Sequence, residues 1–314
     1  MSAASKAQWQ IHFCVLLWGF TAILGKLITL PALALVWWRM LLVTAALLLV
    51  PRVWRGLAGL PARLLAAYAG IGMLVALHWL TFYGAIKLSN ASVAVTCIAL
   101  GPVFLALVEP WISGRRFEPR ELLLGVAVVP GVALVVGGVP SGMHWGIAVG
   151  VASALLVALF GSFNKRLVER ADPLTVTFVE LGAGTIFLGV VAAPLFWFGV
   201  IDQDSFAFLP GARDASLLLL LAMACTLLPF ALSLVALRQL SAFQAQLAVN
   251  LEPVYAIVLA VLLLGEQREL TVSFYLGVAI ILLAVFIHPL IGRRKLQQPS
   301  PEILGTSESK SAAD

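Results

Sequence analysis

Ten times along this chain about twenty residues follow one another with scarcely a charge among them, and that recurrence decides what the chain can fold into. A helix rises ~1.5 Å per residue, so a run of ~20 residues crosses the hydrocarbon core of a bilayer. Inside a bilayer the backbone has to satisfy its own N–H and C=O groups, which a continuous apolar run does as a helix. Barrel strands would read instead as short alternating segments. The expected fold is an all-α integral membrane protein with ten transmembrane helices, near 9–28, 32–50, 64–86, 91–112, 120–138, 144–164, 173–198, 215–236, 244–264 and 271–291. Composition agrees: 61% of residues are hydrophobic and 11% charged, against about 25% charged in soluble domains. The first run starts near Trp9 without a small-residue cleavage site, which reads as a retained helix rather than a signal peptide.

Lysine and arginine set the expected orientation. With the N-terminus in the cytoplasm, the cytoplasmic loops receive Lys6, Arg52, Arg55, Arg63, Arg115, Arg116, Arg120, Lys165, Arg166, Arg170, Arg238, Arg293, Arg294 and Lys295. The opposite side receives only Lys26, Lys87, Arg213 and Arg268. Positive charge stays on the cytoplasmic side, so both termini are expected there, in a bacterial-type inner (plasma) membrane. The net charge of +5 then belongs to membrane topology rather than to nucleic acid. Trp9, Trp54, Trp111 and Trp145 stand near span ends, where indole rings favour the interface. The stretch from Gln297, QQPSPEILGTSESKSAAD, has the composition of a disordered tail over 297–314.

One span carries more polarity than its neighbours. Gln244 to Glu266 is long enough to cross, yet holds Gln246, Asn250 and Glu252, with Pro253 next. A carboxylate there costs roughly 2–3 kcal/mol even on lenient insertion scales. Proline removes a helix donor and frees a carbonyl one turn earlier, as suits a helix that lines a cavity. The stretch repeats an earlier one: Gly101-Pro102 is followed by Gly114 at the interval that separates Glu252-Pro253 from Gly265, and a further glycine follows each, at 125 and 277. The second proline comes five spans after the first, an odd number, so the copies have opposite orientations. This predicts two five-helix halves, 9–138 and 144–291, in inverted topology, with a site near the midplane between them.

In order and spacing these residues resemble the drug/metabolite transporter superfamily, in its EamA-type branch. The resemblance rests on Trp18-Gly19 and Lys26 in the first helix, Pro31 and Arg39 in the second, and Pro102 with Gly114 in the fourth. Glu252-Pro253 and Leu264-Gly265-Glu266 in the ninth helix and Gly277 in the tenth complete it. One departure is Ser113-Gly114-Arg115-Arg116, where the family pattern has Gly-Glu; this half carries Glu109-Pro110 deeper in the helix. The resemblance implies export of small metabolites, often amino acids or related compounds, commonly against protons.

Several polar residues are candidates for that site. Glu252 is either a proton-titrating or ammonium-binding carboxylate, or a structural group answering backbone freed by Pro253. Gln246 and Asn250, four apart, share a helix face and either line the site or bind helices together. Aligning Pro31 with Pro173 sets Glu180 opposite Trp38, one position from Arg39. That pair would hold a zwitterion or simply pair across the halves. His78 with Trp79 and Tyr83 is either a proton relay beside an aromatic wall or a neutral ring bonded to a neighbouring helix. Glu109 would answer Arg115 or Arg116, and Lys165 would snorkel to the interface. Gly146 and Gly150 form a close-packing pair. Pro130, Pro194 and Pro229 are candidate kinks without chemistry.

Cys14, Cys97 and Cys225 lie inside apolar runs without paired spacing, which argues against a disulfide framework and a zinc site and reads as small core residues. No enzyme motif, nucleotide-binding sequence or carboxylate cluster for a metal occurs, and no cofactor is expected. The expected function is secondary active transport of a small-molecule substrate, with protons as the second ligand and a monomer or homodimer as the assembly. The alternatives are an exchanger or uptake carrier for phosphorylated or nucleotide-linked metabolites and, in a different class, an intramembrane lipid-acting enzyme.

Overall fold

The computed structural model describes residues 3–114, 116–117, 119–197, 209–249 and 251–292. Asn250, Arg115, Asp202, Asp204 and the tail 297–314 lie outside the described residues. Those described form helices and no strand. They are α1 (Ala3–Leu27), α2 (Ala32–Leu48), α3 (Pro51–Ala58), α4 (Ala62–Leu88), α5 (Ala91–Ile98), α6 (Gly101–Ser113) and α7 (Pro119–Gly137). After these come α8 (His144–Leu167), α9 (Pro173–Trp197), α10 (Ala212–Ala222), α11 (Leu228–Leu237), α12 (Ala242–Val249), α13 (Glu252–Leu264) and α14 (Val272–Gly292).

Each expected run is helical, but length and apolarity single out six stretches able to cross a membrane, or seven when α2 and α3 count as one bent span. The difference from ten lies mainly at 120–138, 244–264 and 271–291, where the described apolar stretches are Val126–Gly137 and Val272–Ala284, inside the longer helices α7 and α14, and the separate helix Glu252–Leu264. For 244–264 the reason is physical: the chain breaks ahead of Glu252-Pro253, as proline and a carboxylate demand. The segment 51–63 is not a plain loop. Pro51 starts α3 at a position where its missing N–H costs nothing, and α3 turns 88° from α2.

Two further breaks shape the interior. α5 and α6 meet just ahead of Pro102, and α12 and α13 just ahead of Pro253. Each long piece ends on a glycine in the left-handed region, Gly114 and Gly265, both at φ 70°. A side chain would strain that conformation, and it lets the glycine N–H close the last turn on Pro110 and Ala260. Between α10 and α11 the segment Met223–Leu227 widens into a π turn, with Pro229 just beyond.

The helices interlock across the chain. α4 lies against α8 and α9, α1 against α11 and α13, α6 against α8, α5 against α13, and α7 against α14. Close crossings fall on glycines: Gly131 of α7 and Gly277 of α14 each face the other's carbonyl oxygen, and Gly146 and Gly150 of α8 sit on Ser89 and Cys97. The outward faces stay apolar, with Ile186, Val190, Val258, Leu262, Val272 and Leu276 exposed. Trp9, Trp54, Trp111 and Trp145 are exposed near helix ends. In water such a surface would be an aggregation liability, and in lipid it is the ground state.

Candidate functional site

The broken helices, with α1, α2, α4, α8 and α11, surround a cleft of about 960 Å³ counted to its open mouth. Aromatic rings line much of it, among them Trp18, Trp79, Phe82, Phe160 and Phe230. Its polar lining is sparse: Thr21, Arg39, His78, Asn164, Ser233, Gln246 and Glu252.

Glu252 is the first residue of α13, where the helix dipole favours negative charge. It is buried, lines the cleft, and its carboxylate receives no hydrogen bond from the described residues. Buried carboxylates normally recruit donors, so one left without them next to a cavity is set up for an exchangeable partner. Gln246, one and a half turns earlier, packs its amide against Gly101 at the other break. Its Nε2 is buried with no acceptor among the described residues, and Thr21 Oγ1 is in the same condition.

Arg39 comes from the middle of α2 and is 1% exposed. It forms no ion pair with Glu180: among the described residues the salt bridge is Arg52–Asp172. Protein dipoles hold the guanidinium instead. Its Nε donates to Thr226 Oγ1 at 2.6 Å, Nη1 to the Tyr83 hydroxyl at 2.8 Å and Nη2 to the Cys225 carbonyl at 3.4 Å. Its carbon lies 3.8 Å from the centre of the Trp79 ring, within cation–π range. Pro229 explains the carbonyl. Lacking an N–H, it cannot bond Cys225 four residues back, and that oxygen becomes free for Arg39. The π turn then presents Thr226, whose hydroxyl donates to Leu221 O at 2.7 Å while accepting from Arg39. Pro229 was legible in the sequence as a kink; the acceptor it released was not, because its user sits on α2.

His78 Nδ1 lies 3.0 Å from Ser153 O, and a carbonyl only accepts, so the proton belongs on Nδ1. The Ser153 hydroxyl donates to His78 O at 3.0 Å. The ring, set against Phe82 and Phe160, thus keeps Nε2 as its acceptor nitrogen. Of the remaining candidates, Trp18 lines the cleft. Tyr83 is wholly buried behind Arg39, and Lys26 is exposed in the last turn of α1. Glu180, 0% exposed on α9, is reached from the cleft wall through Asn164, whose Nδ2 donates to Glu180 Oε2 at 3.3 Å. Lys165 is half-buried and donates to Leu237 O at 2.7 Å, at the end of α11. Glu109 is buried on α6.

A model of the EamA-like transporter family matches the chain twice, over residues 7–137 and 144–288. The protein belongs to the EamA-like transporter family. No curated protein matches the sequence. A solved structure described only as a crystal structure of a protein is 16% identical and covers 94% of this EamA-like chain and 99% of its own, with a TM-score of 0.65. That likeness supports the fold alone. Family membership and the apolar helices together make the protein a multi-pass membrane transporter of small substrates.

Proposed function

We propose that this EamA-like protein is a secondary active transporter that exports a small metabolite, an amino acid or related compound, against protons by alternating access. In this reading ten helices cross the inner membrane as two inverted halves, 9–138 and 144–291, with both termini cytoplasmic, and no enzymatic step is involved. The pattern of contacts supports the inversion. α4 on α8 is matched by α11 on α1, α6 on α8 by α13 on α1, and α7 and α14 pair with each other. The orientation is tested by fusing reporters after Lys295 and at Asp204, expected on the cytoplasmic and the outer side. The reverse pattern overturns it.

The observation that carries the function is the Glu252 carboxylate, buried on the cleft wall without a donor among the described residues. Arg39, fixed elsewhere, lies near enough for the two charges to interact without forming an ion pair. A proton, or the ammonium of a substrate, answers such a carboxylate in turn. Binding of one then excludes the other, which is how antiport couples two flows. The aromatic lining takes the apolar part of an amphipathic compound, with Gln246, Thr21 and Asn164 as polar contacts.

The test uses proteoliposomes and a substrate found by thermal-shift screening against a metabolite library. Glu252→Gln keeps the volume and mimics the protonated acid. It is expected to lose accumulation driven by an imposed pH gradient while substrate-for-substrate exchange stays detectable. Gradient-driven transport at the wild-type rate by that variant makes the carboxylate structural.

A further inference from the structure

A second buried acid lies beside the cleft, on a different helix. Glu180 on α9 is 0% exposed and Asn164 on α8 is 2% exposed. Asn164 Nδ2 donates to Glu180 Oε2, and each side chain has one oxygen left over: Glu180 Oε1 and Asn164 Oδ1 are both buried without a partner among the described residues. Two acceptors that face no donor at one contact are a chemical mismatch. A single proton removes it. A carboxylic acid meets a primary amide with two complementary bonds, amide N–H to acid C=O and acid O–H to amide C=O. Here the first of those bonds is present, at 3.3 Å.

We propose that Glu180 and Asn164 form a proton-binding site, in which the carboxyl is held as the neutral acid and its O–H donates to Asn164 Oδ1.

Among the described residues no cation makes an ion pair with the charged form. The elements packed on α9 are α2, α3, α4 and α11, and α8 supplies Asn164. On α2 the charge is Arg39, committed to Thr226, Tyr83 and Cys225. On α3 Arg52 is paired with Asp172, and Arg55 makes no ion pair with Glu180. α4 brings Tyr68, close enough to feel Glu180, but its hydroxyl donates to Leu167 O at 2.9 Å; His78 on the same helix is held by Ser153. Arg238, just beyond α11, donates to Val168 O and Ala171 O, and Lys165 and Arg166 on α8 donate to Leu237 O and Ile112 O. α4 also closes over the backbone here, since a Cβ at Gly72 would strike the Glu180 carbonyl.

Asn164 belongs to the cluster and to the cleft wall alike. With the acid proton in place, both ends of its amide are engaged. When the proton leaves, Oδ1 loses its donor and the amide is free to answer a ligand N–H in the cleft. The site is therefore a second proton-responsive group, separate from Glu252, and it stands whether or not Glu252 couples transport.

Infrared spectroscopy of the full-length protein in lipid nanodiscs at neutral pH reads the site directly. The parent is Glu252→Gln, which removes the other cleft acid from the spectrum. The parent minus Glu180→Gln difference is expected to show the C=O stretch of a protonated carboxylic acid. In Asn164→Leu that band is expected to move to higher frequency, because the acid carbonyl has lost the amide N–H. A difference spectrum showing loss of ionised carboxylate bands instead overturns the proposal. If Glu180→Gln does not fold, Asn164→Leu decides alone: a shifted acid band supports the site, and an acid region identical to the parent's overturns it.

Discussion

The break between α5 and α6 and the break between α12 and α13 repeat each other in backbone, with an 8-residue helix, a short interruption and a 13-residue helix ending on a left-handed glycine. The interval that separates Pro102 from Pro253 also separates Asn90 from Ser241, the residues that precede α5 and α12. Both cap alike: the Asn90 side chain accepts from Val93 N at 2.9 Å and the Ser241 hydroxyl from Gln244 N at 3.0 Å. Beyond the backbone the chemistry parts. At the start of α5 Glu266, from the other half of the chain, accepts from Ala91 N and Ser92 N at 3.0 Å and from Ser92 Oγ at 2.6 Å. Asn90 adds a bond to Glu269 at 3.1 Å. At the start of α12 the cap is local, a reciprocal box in which Gln244 also accepts from Ser241 N at 3.0 Å.

The position that corresponds to Glu266 holds Arg115, and the position that corresponds to Glu252 holds Gly101. One broken helix is thus tied down at its N-terminal end and apolar at its break. The other is capped from within itself and carries the buried acid at its break. An inverted pair of backbones can therefore divide two tasks, a cross-chain anchor and a polar site, through two side-chain choices.

The largest expected effect comes from cutting the anchor. Glu266→Ala strands two buried amides and a hydroxyl, each worth about 1–3 kcal/mol when unsatisfied. Thermal unfolding followed by tryptophan fluorescence is expected to show a loss of about 3 kcal/mol or more, with Glu266→Gln in between. Equal stability of Glu266→Ala and wild type would remove the distinction between the two helix starts.

Next comes the contact between the breaks. Gly101→Ala places a methyl against the Gln246 amide and is expected to cost about 1–3 kcal/mol, as overpacking does. Gln246→Ala in the same chain should restore part of that loss, and the double-mutant cycle measures the coupling. Simple additivity would mean that the breaks do not bear on each other there.

The smallest effects sharpen the difference between the caps. Ser241→Ala should cost ~0.5–1 kcal/mol, as for a local cap, and Asn90→Ala about 1–2 kcal/mol, because it also releases Glu269. Urea titrations of the two variants in one detergent rank them. A larger loss at Ser241 would reverse the assignment of the anchored end.

The sequence by itself determined the all-helical membrane class, the helical runs, the break at Pro253 and the two closing glycines. Each follows from local chemistry: apolar length, a missing proline N–H, and a conformation that glycine adopts without strain. It also marked Glu252, Gln246 and His78, because polarity inside an apolar run is conspicuous from composition alone. Only the tertiary structure decided which polar groups are left without partners. Of the two readings of Arg39 and Glu180, a zwitterion site or a direct pair, the direct pair does not form: a carbonyl freed by Pro229, a threonine raised by a π turn and a tyrosine hydroxyl take the donors of Arg39. Glu266 read as the end of a motif and is a cap for a helix from the opposite half. Partners of this kind come from elements far apart in sequence, and hydrogen bonding depends on distance and direction, which no local pattern encodes.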